Sequence, residues 1–186
     1  DIDPTYTLGD LARRRKEIPQ ELERQGILTL NKELQLPVLP QRIAVISAPS
    51  AAGYGDFCNQ LANNEKEYSF HVRLFPAVMQ GEQTERSIIS ALNAIADDMD
   101  NWDVVVIIRG GGATADLASF DTLALAENVA QFPLPVITGI GHERDDTVLD
   151  LIAHTRVKTP TAAAAFLMAR VDESGSQLAN LAQRFN

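Results

Sequence analysis

The sequence predicts an α/β protein: a doubly wound, mainly parallel sheet of about four strands with flanking helices, an N-terminal helix and a long C-terminal helix. Three observations carry this. Short apolar, β-branched runs recur at Ile43 to Ser47, Val72 to Phe75, Val104 to Ile108 and Val136 to Thr138. Helix-length segments separate them, near Asp56 to Glu65, Glu82 to Asp98 and Asp116 to Gln131. The first and third runs are almost continuously apolar, as strands must be when crossover helices cover both faces of a parallel sheet.

Each element has its own signal. Residues from Gly9 to Gly26 read as a helix with both charge signs, Leu11, Ile18 and Leu22 forming a thin apolar stripe and Gly26 a C-cap. Pro37 and Pro40 mark a linker, so residues 1–40 are expected to be a helix and linker ahead of an α/β domain over 41–158. Phe57-Cys58-Asn59-Gln60-Leu61 has a helical apolar pattern in which Cys58 reads as a small buried hydrophobe. Ile88, Ile89, Leu92 and Ile95 follow the helical period. Thr147 to Ala153 reads as a short helix. Thr159-Pro160 then reads as an N-cap followed by proline at the first helical position, where its missing N–H costs nothing. Residues 159–186 are expected to start a long helical arm, with Ala162 to Ala165 as strong helix formers and Phe166, Ala169, Leu178, Leu181 and Phe185 as its stripe.

Bulk properties narrow the function. With 186 residues and 45% hydrophobic content, the chain can bury one substantial core. A net charge of -9 argues against broad electrostatic binding of nucleic acid by this piece alone, while leaving room for a local positive pocket. Cys58 is the only cysteine, so no internal disulfide forms and a reducing, cytoplasmic setting is expected. No segment reads as a membrane span or a signal peptide. The chain starts at Asp1 without methionine and stops at Asn186 inside a helical pattern, which reads as a piece of a longer protein.

Three loops after strands have unusual composition, and ligands of open α/β sheets collect beyond the carboxyl ends of strands. Ser47-Ala48-Pro49-Ser50-Ala51-Ala52-Gly53-Tyr54-Gly55-Asp56 is rich in small residues that let backbone amides approach an anion at a helix start. An ordinary strand-to-helix turn would have the same composition. Arg109-Gly110-Gly111-Gly112 joins a guanidinium suited to bidentate grip on phosphate to a turn whose glycines allow close backbone approach. Asp116 reads as the cap of the next helix. Thr138-Gly139-Ile140-Gly141-His142-Glu143-Arg144-Asp145-Asp146 places an imidazole and carboxylates past the end of a buried strand. His142 and Asp145 stand three residues apart, the spacing of one helical turn, so the carboxylate could orient the ring and stabilise its protonated form. His142, Glu143 and Asp145 could instead hold a divalent metal, a weak signal without a second nearby histidine. His71 and His154 read as surface or packing residues.

Taken together and in this order, these motifs resemble the large subunit of exodeoxyribonuclease VII. The likeness runs from Asp3-Pro4-Thr5-Tyr6-Thr7-Leu8-Gly9-Asp10 through Arg42-Ile43-Ala44-Val45-Ile46-Ser47-Ala48-Pro49 and Phe75-Pro76-Ala77-Val78-Met79-Gln80-Gly81. It is strongest in Arg109 to Gly112, in Gly141-His142-Glu143 with Asp145, and in Lys158-Thr159-Pro160-Thr161-Ala162-Ala163-Ala164. The resemblance implies a nuclease that degrades single-stranded DNA from both ends to oligonucleotides, with an OB-fold ahead of residues 1–40 and several copies of a small helical subunit on the arm. It implies catalytic roles for Asp56, Arg109, His142 and Asp145, and substrate contacts from Ser47, Ser50, Gly110, Gly111, Gly112 and Glu143. No cofactor is implied as required, although Mg²⁺ would be compatible. The chain departs from the family pattern at Ala48-Pro49-Ser50-Ala51, Gly55, Ala115, Ala118, Arg144 and Asp146.

In this reading Arg109 and the amides of Gly110 to Gly112 neutralise the scissile phosphate, His142 moves the proton and Asp145 holds His142. Asp56 positions either Arg109 or the attacking water, and either acid or base duty suits His142. The same glycine turns would also serve a Rossmann-like domain that binds a nucleotide or phosphate without cleaving it, but no full G-x-G-x-x-G fingerprint is present. A third reading makes the terminal helix the working part of an assembly scaffold.

Overall fold

The computed structural model describes residues 8–63, 68–109, 114–140 and 147–184. Five strands form one sheet: β1 (Arg42–Ser47), β2 (His71–Pro76), β3 (Val104–Ile108), β4 (Val136–Gly139) and β5 (Thr155–Arg156). Their order is β2-β1-β3-β4-β5 and every neighbouring pair is parallel. The α-helices are α1 (Leu8–Gln25), α2 (Leu30–Glu33), α3 (Ala52–Ala62), α4 (Thr84–Ala96), α5 (Leu123–Ala130), α6 (Val148–Ile152) and α7 (Pro160–Arg184).

The continuous apolar runs of β1 and β3 are explained by burial on both sides. Ala44, Ile46, Val105, Ile107 and Val136 pack with α1, α4, α5 and α6, through residues such as Leu22, Ile88, Leu125 and Leu149. Their neighbours in sequence, Ile43, Val45, Val104, Val106, Ile108 and Ile137, pack with α3 and α7 through Phe57, Leu61, Ala164 and Leu167. Alternation along each strand therefore feeds two cores, and each isoleucine or valine so buried contributes about 1.5–3 kcal/mol of transfer free energy. The chain steps from β1 out to β2, then returns across the sheet to β3 on the other side of β1. That reversal opens a crevice between the carboxyl ends of β1 and β3.

Several expectations are met in detail. Gly26 has φ +77°, the left-handed conformation that ends a helix at α1. Thr159 Oγ1 accepts the Ala162 amide at 3.1 Å, and Pro160 follows as the first residue of α7. His154 is a packing residue, its ring nitrogens within hydrogen-bond distance of Thr155 Oγ1 and the Leu34 carbonyl. His71 is exposed and stacks on Trp102 with ring centroids 5.4 Å apart. Cys58, expected to be buried, is only half-buried, beside the α3/α7 core.

Others are corrected. A fifth strand, only Thr155–Arg156, pairs with β4, too short to show any periodicity in the sequence. The linker holds a helical turn, α2, fixed by the fully buried Asn31. The Asn31 carboxamide donates to the Phe132 and Leu134 carbonyls and accepts the Val136 and His154 amides, which ties the linker to β4 and to the turn after α6. Helix α3 begins at Ala52, so Asp56 lies on a helix instead of closing a loop. The segment read as one helix from Asp116 to Gln131 is broken into a 3-10 stretch, Thr114–Phe120, and α5. The cap of α5 is Thr122 instead of Asp116, which lies within the 3-10 stretch; the Thr122 Oγ1 accepts the Leu125 amide at 3.4 Å. The break falls at Asp121, whose carboxylate is used for tertiary bonds.

Candidate active site

The site is built on three adjacent strand ends. In β1 and β3, Ile46 lies opposite Ile107, so Ser47 and Ile108 finish their strands next to each other at the carboxyl rim. Arg109 follows Ile108, and its amide donates to the Gly139 carbonyl of β4 at 3.2 Å. The turn after β2 joins the same rim, because the Ala77 amide donates to the Ser47 carbonyl at 3.0 Å. The three loops singled out in the sequence thus leave one edge of the sheet, on both sides of the topological switch.

The side chains at this rim are unusual for their burial. Arg109 is only 7% exposed, although it carries a full charge. Ser47 is 0% exposed, and its Oγ has no hydrogen-bond partner among the described residues. A buried hydroxyl without a partner costs about 1–3 kcal/mol, an expense a bound anionic oxygen would remove. The neighbouring start of α3 adds a second feature. Ala51 occupies its N-cap position and offers no side-chain bond, and the first turn holds no acidic residue. The positive end of that helix dipole is left uncompensated by its own residues. Ser50 and Asp56 are exposed, Asp56 one turn into α3.

Gly110, Gly111, Gly112, His142, Glu143 and Asp145 lie outside the described residues, but the chain on either side of them is described. Upstream of the histidine segment, Gly139 sits against the start of α7: a Cβ there would stand 3.0 Å from the Thr159 carbonyl oxygen and 3.1 Å from Ile108 Cγ2. Downstream, Thr147 and Asp150 form a capping box at the start of α6. Asp150 reaches further, since its Oδ1 accepts Thr138 Oγ1 of β4 at 2.8 Å while its Oδ2 accepts the Thr147 amide at 2.9 Å. One carboxylate therefore joins the strand before the histidine segment to the helix after it.

A second buried carboxylate stands beside it. Asp121 is 0% exposed; its Oδ1 accepts the Val148 amide at 2.7 Å and its Oδ2 accepts Arg15 Nε of α1 at 2.9 Å. Burial pushes the Asp121 carboxyl above the ordinary aspartate range, against the pull of the Val148 amide and Arg15, and the nearby Asp150 carboxylate pushes the same way. Thr147 starts the short helix as expected, as its N-cap, while Asp121 and Asp150 escape the sequence reading. The Thr-x-x-Asp spacing at 147–150 is a readable cap signal, whereas nothing local marks Asp121. Among the described residues, no group of three histidine, cysteine or carboxylate side chains could hold a metal ion. No helix among them is long and apolar enough to cross a membrane.

The family model described as exonuclease VII, large subunit, matches residues 27–186. An exodeoxyribonuclease 7 large subunit of Deinococcus radiodurans is 40% identical over 179 residues, covering 95% of this chain and 43% of that protein. One from a Nostoc species is 36% identical over 170 residues, covering 91% of this chain and 40% of the relative. One from a Shewanella species is 36% identical over 176 residues, covering 95% and 39% respectively. The chain thus spans about two fifths of the length of these curated relatives.

Proposed function

The chain belongs to the exonuclease VII large-subunit family, and from that premise we propose that it carries the catalytic domain of a nuclease hydrolysing phosphodiester bonds of single-stranded DNA. The observation that carries the reading is the rim itself. The buried Arg109, directly after β3, and the buried Ser47 hydroxyl, which ends β1 and has no partner among the described residues, meet at the switch point beside an uncapped helix start. That is an anion-receiving hollow, and its ligand in this family would be the scissile phosphate.

Arg109, with the amides of Gly110 to Gly112, neutralises the charge that builds on the phosphate in the transition state. Ser47 and Ser50 contact phosphate oxygens and Glu143 a neighbouring part of the substrate. His142 transfers the proton and Asp145 orients its ring. Asp56 acts on Arg109 or on the attacking water from the outer turn of α3. The intact enzyme attacks both ends of a strand and releases oligonucleotides in the cytoplasm. Residues 159–186 begin an arm that carries several copies of a small helical subunit, residues 1–40 follow an OB-fold, and residues 41–158 hold the chemistry. The relatives' names, which are those of an exonuclease, argue against a Rossmann-like domain that only binds phosphate.

The test is turnover on single-stranded DNA by the intact enzyme, with and without chelator. Arg109→Ala and His142→Ala should each lower kcat by on the order of a hundred- to a thousandfold, the effect of removing one donor or proton carrier from a preorganised site. Unchanged turnover in either variant would remove that residue from the mechanism.

A further inference from the structure

We propose that Asp121 is a positioning residue, which sets where the segment bearing His142 and Asp145 rejoins the fold relative to Arg109. This rests on the reading that those residues act together in the nuclease site. Asp121 stands at the end of the 3-10 stretch Thr114–Phe120, which leads out of the triple-glycine turn after Arg109. Its Oδ1 accepts the amide of Val148, the first residue of α6, which leads out of the histidine segment. The exits of both loops are therefore fastened at one carboxylate. Arg15 then ties that carboxylate to α1, donating through Nε to Oδ2 at 2.9 Å, and Arg14 ties the Asp121 backbone, donating through Nη1 to its carbonyl at 3.1 Å.

Capping alone does not account for this arrangement. Thr147 and Asp150 already complete the capping box of α6. A buried ion pair adds little net stability over an apolar pair of the same shape, because both charges lose their water. It does impose one geometry on the groups it joins. Among the described residues, the other charged groups around Asp121 are Asp150 from α6, and Arg13, Glu17 and Glu85, which line with it a cleft of about 530 Å³ between α1 and the start of α4.

The test compares Asp121→Ala, Asp121→Asn, Arg15→Met and His142→Ala in the intact enzyme. Hydrogen exchange of the α6 amides is read beside kcat and KM on single-stranded DNA. Asp121→Ala should speed exchange across Val148–Ile152 and lower kcat by on the order of ten- to a hundredfold, as displacement of a reacting group by about 1 Å does. KM should stay within about twofold, because ground-state binding is untouched. Asp121→Asn keeps an acceptor for the Val148 amide and should recover most of the lost kcat, and Arg15→Met should fall between the two. Where Asp121→Ala does not fold, Arg15→Met carries the comparison. Unchanged exchange overturns the anchor. Faster exchange with unchanged kcat, beside an inactive His142→Ala, overturns the positioning role and leaves the nuclease reading standing. A fully active His142→Ala overturns both.

Discussion

The Arg109 amide donates to the Gly139 carbonyl at 3.2 Å. This bond joins the last residue before one glycine-rich turn to the last residue of the strand before the other. It holds side by side the two strand ends from which the loops with the proposed chemistry leave, on strands whose registers are set by β3 and β4 pairing from Val105↔Val136 to Ile108↔Gly139. Whatever disturbs the Gly139 backbone disturbs Arg109 as well.

Gly139→Ala is expected to be a damaging methyl addition near the site. The new Cβ would stand 3.0 Å from the Thr159 carbonyl oxygen and 3.3 Å from its carbon, both backbone atoms at the foot of α7. Backbone at a helix start cannot rotate away as a side-chain tip can, so the strand end must shift. Overpacking of this kind costs about 1–3 kcal/mol. Urea unfolding of the variant should show that loss, and turnover should fall further than stability alone explains. An unfolding midpoint equal to that of the unsubstituted chain would mean that the strand and α7 separate freely.

Ser47→Ala should separate stability from function. The Oγ it removes is buried without a partner, so the folded state loses only an unfavourable group. The unfolding free energy should stay level or rise by about 1 kcal/mol. If that hydroxyl donates to a phosphate oxygen when substrate is bound, kcat/KM on single-stranded DNA should drop by about ten- to a hundredfold, the value of one hydrogen bond to a charged group. A variant that is both less stable and fully active would show that Ser47 serves the fold, not the substrate.

The parts of this molecule legible in its sequence are those set by local pattern. β1 and β3 announce themselves because covering both faces leaves Ile43 to Ile46 and Val104 to Ile108 without a polar residue. Thr159-Pro160 and Gly26 announce helix ends because cap geometry selects residue types. Ser47 and Arg109 are legible as strand-end residues for the same reason: a polar or charged residue directly after an apolar run must sit at the rim. What escapes is decided at long range. Asn31 looks like any polar linker residue, yet it holds four backbone groups of a region more than a hundred residues away. Asp121 breaks an expected helix because its carboxylate is claimed by Arg15, 106 positions earlier, and by Val148. Asp56 reads as the close of a loop because α3 starts at Ala52, behind an N-cap, Ala51, with no capping side chain to mark it.

The Asp121 carboxylate should leave a signature in the pH dependence of stability, and its sign follows from its burial. Desolvation is the largest influence on this group and raises its pKa in the folded state, where Asp150 adds to the effect and Val148 and Arg15 oppose it. The folded chain therefore holds the Asp121 proton at pH values where the unfolded chain has released it. Stability from this group is fully present below the ordinary aspartate pKa, about 3.9, and is lost as pH rises through the higher folded value. Asp121→Asn cannot titrate there. The difference in unfolding free energy, unsubstituted chain minus Asp121→Asn, should fall with rising pH across that window and then run flat toward neutrality. Urea titrations at a series of pH values measure it. A difference that rises with pH would show that the Arg15 pair and the Val148 amide outweigh burial, and that Asp121 is ionised more readily in the folded state than out of it.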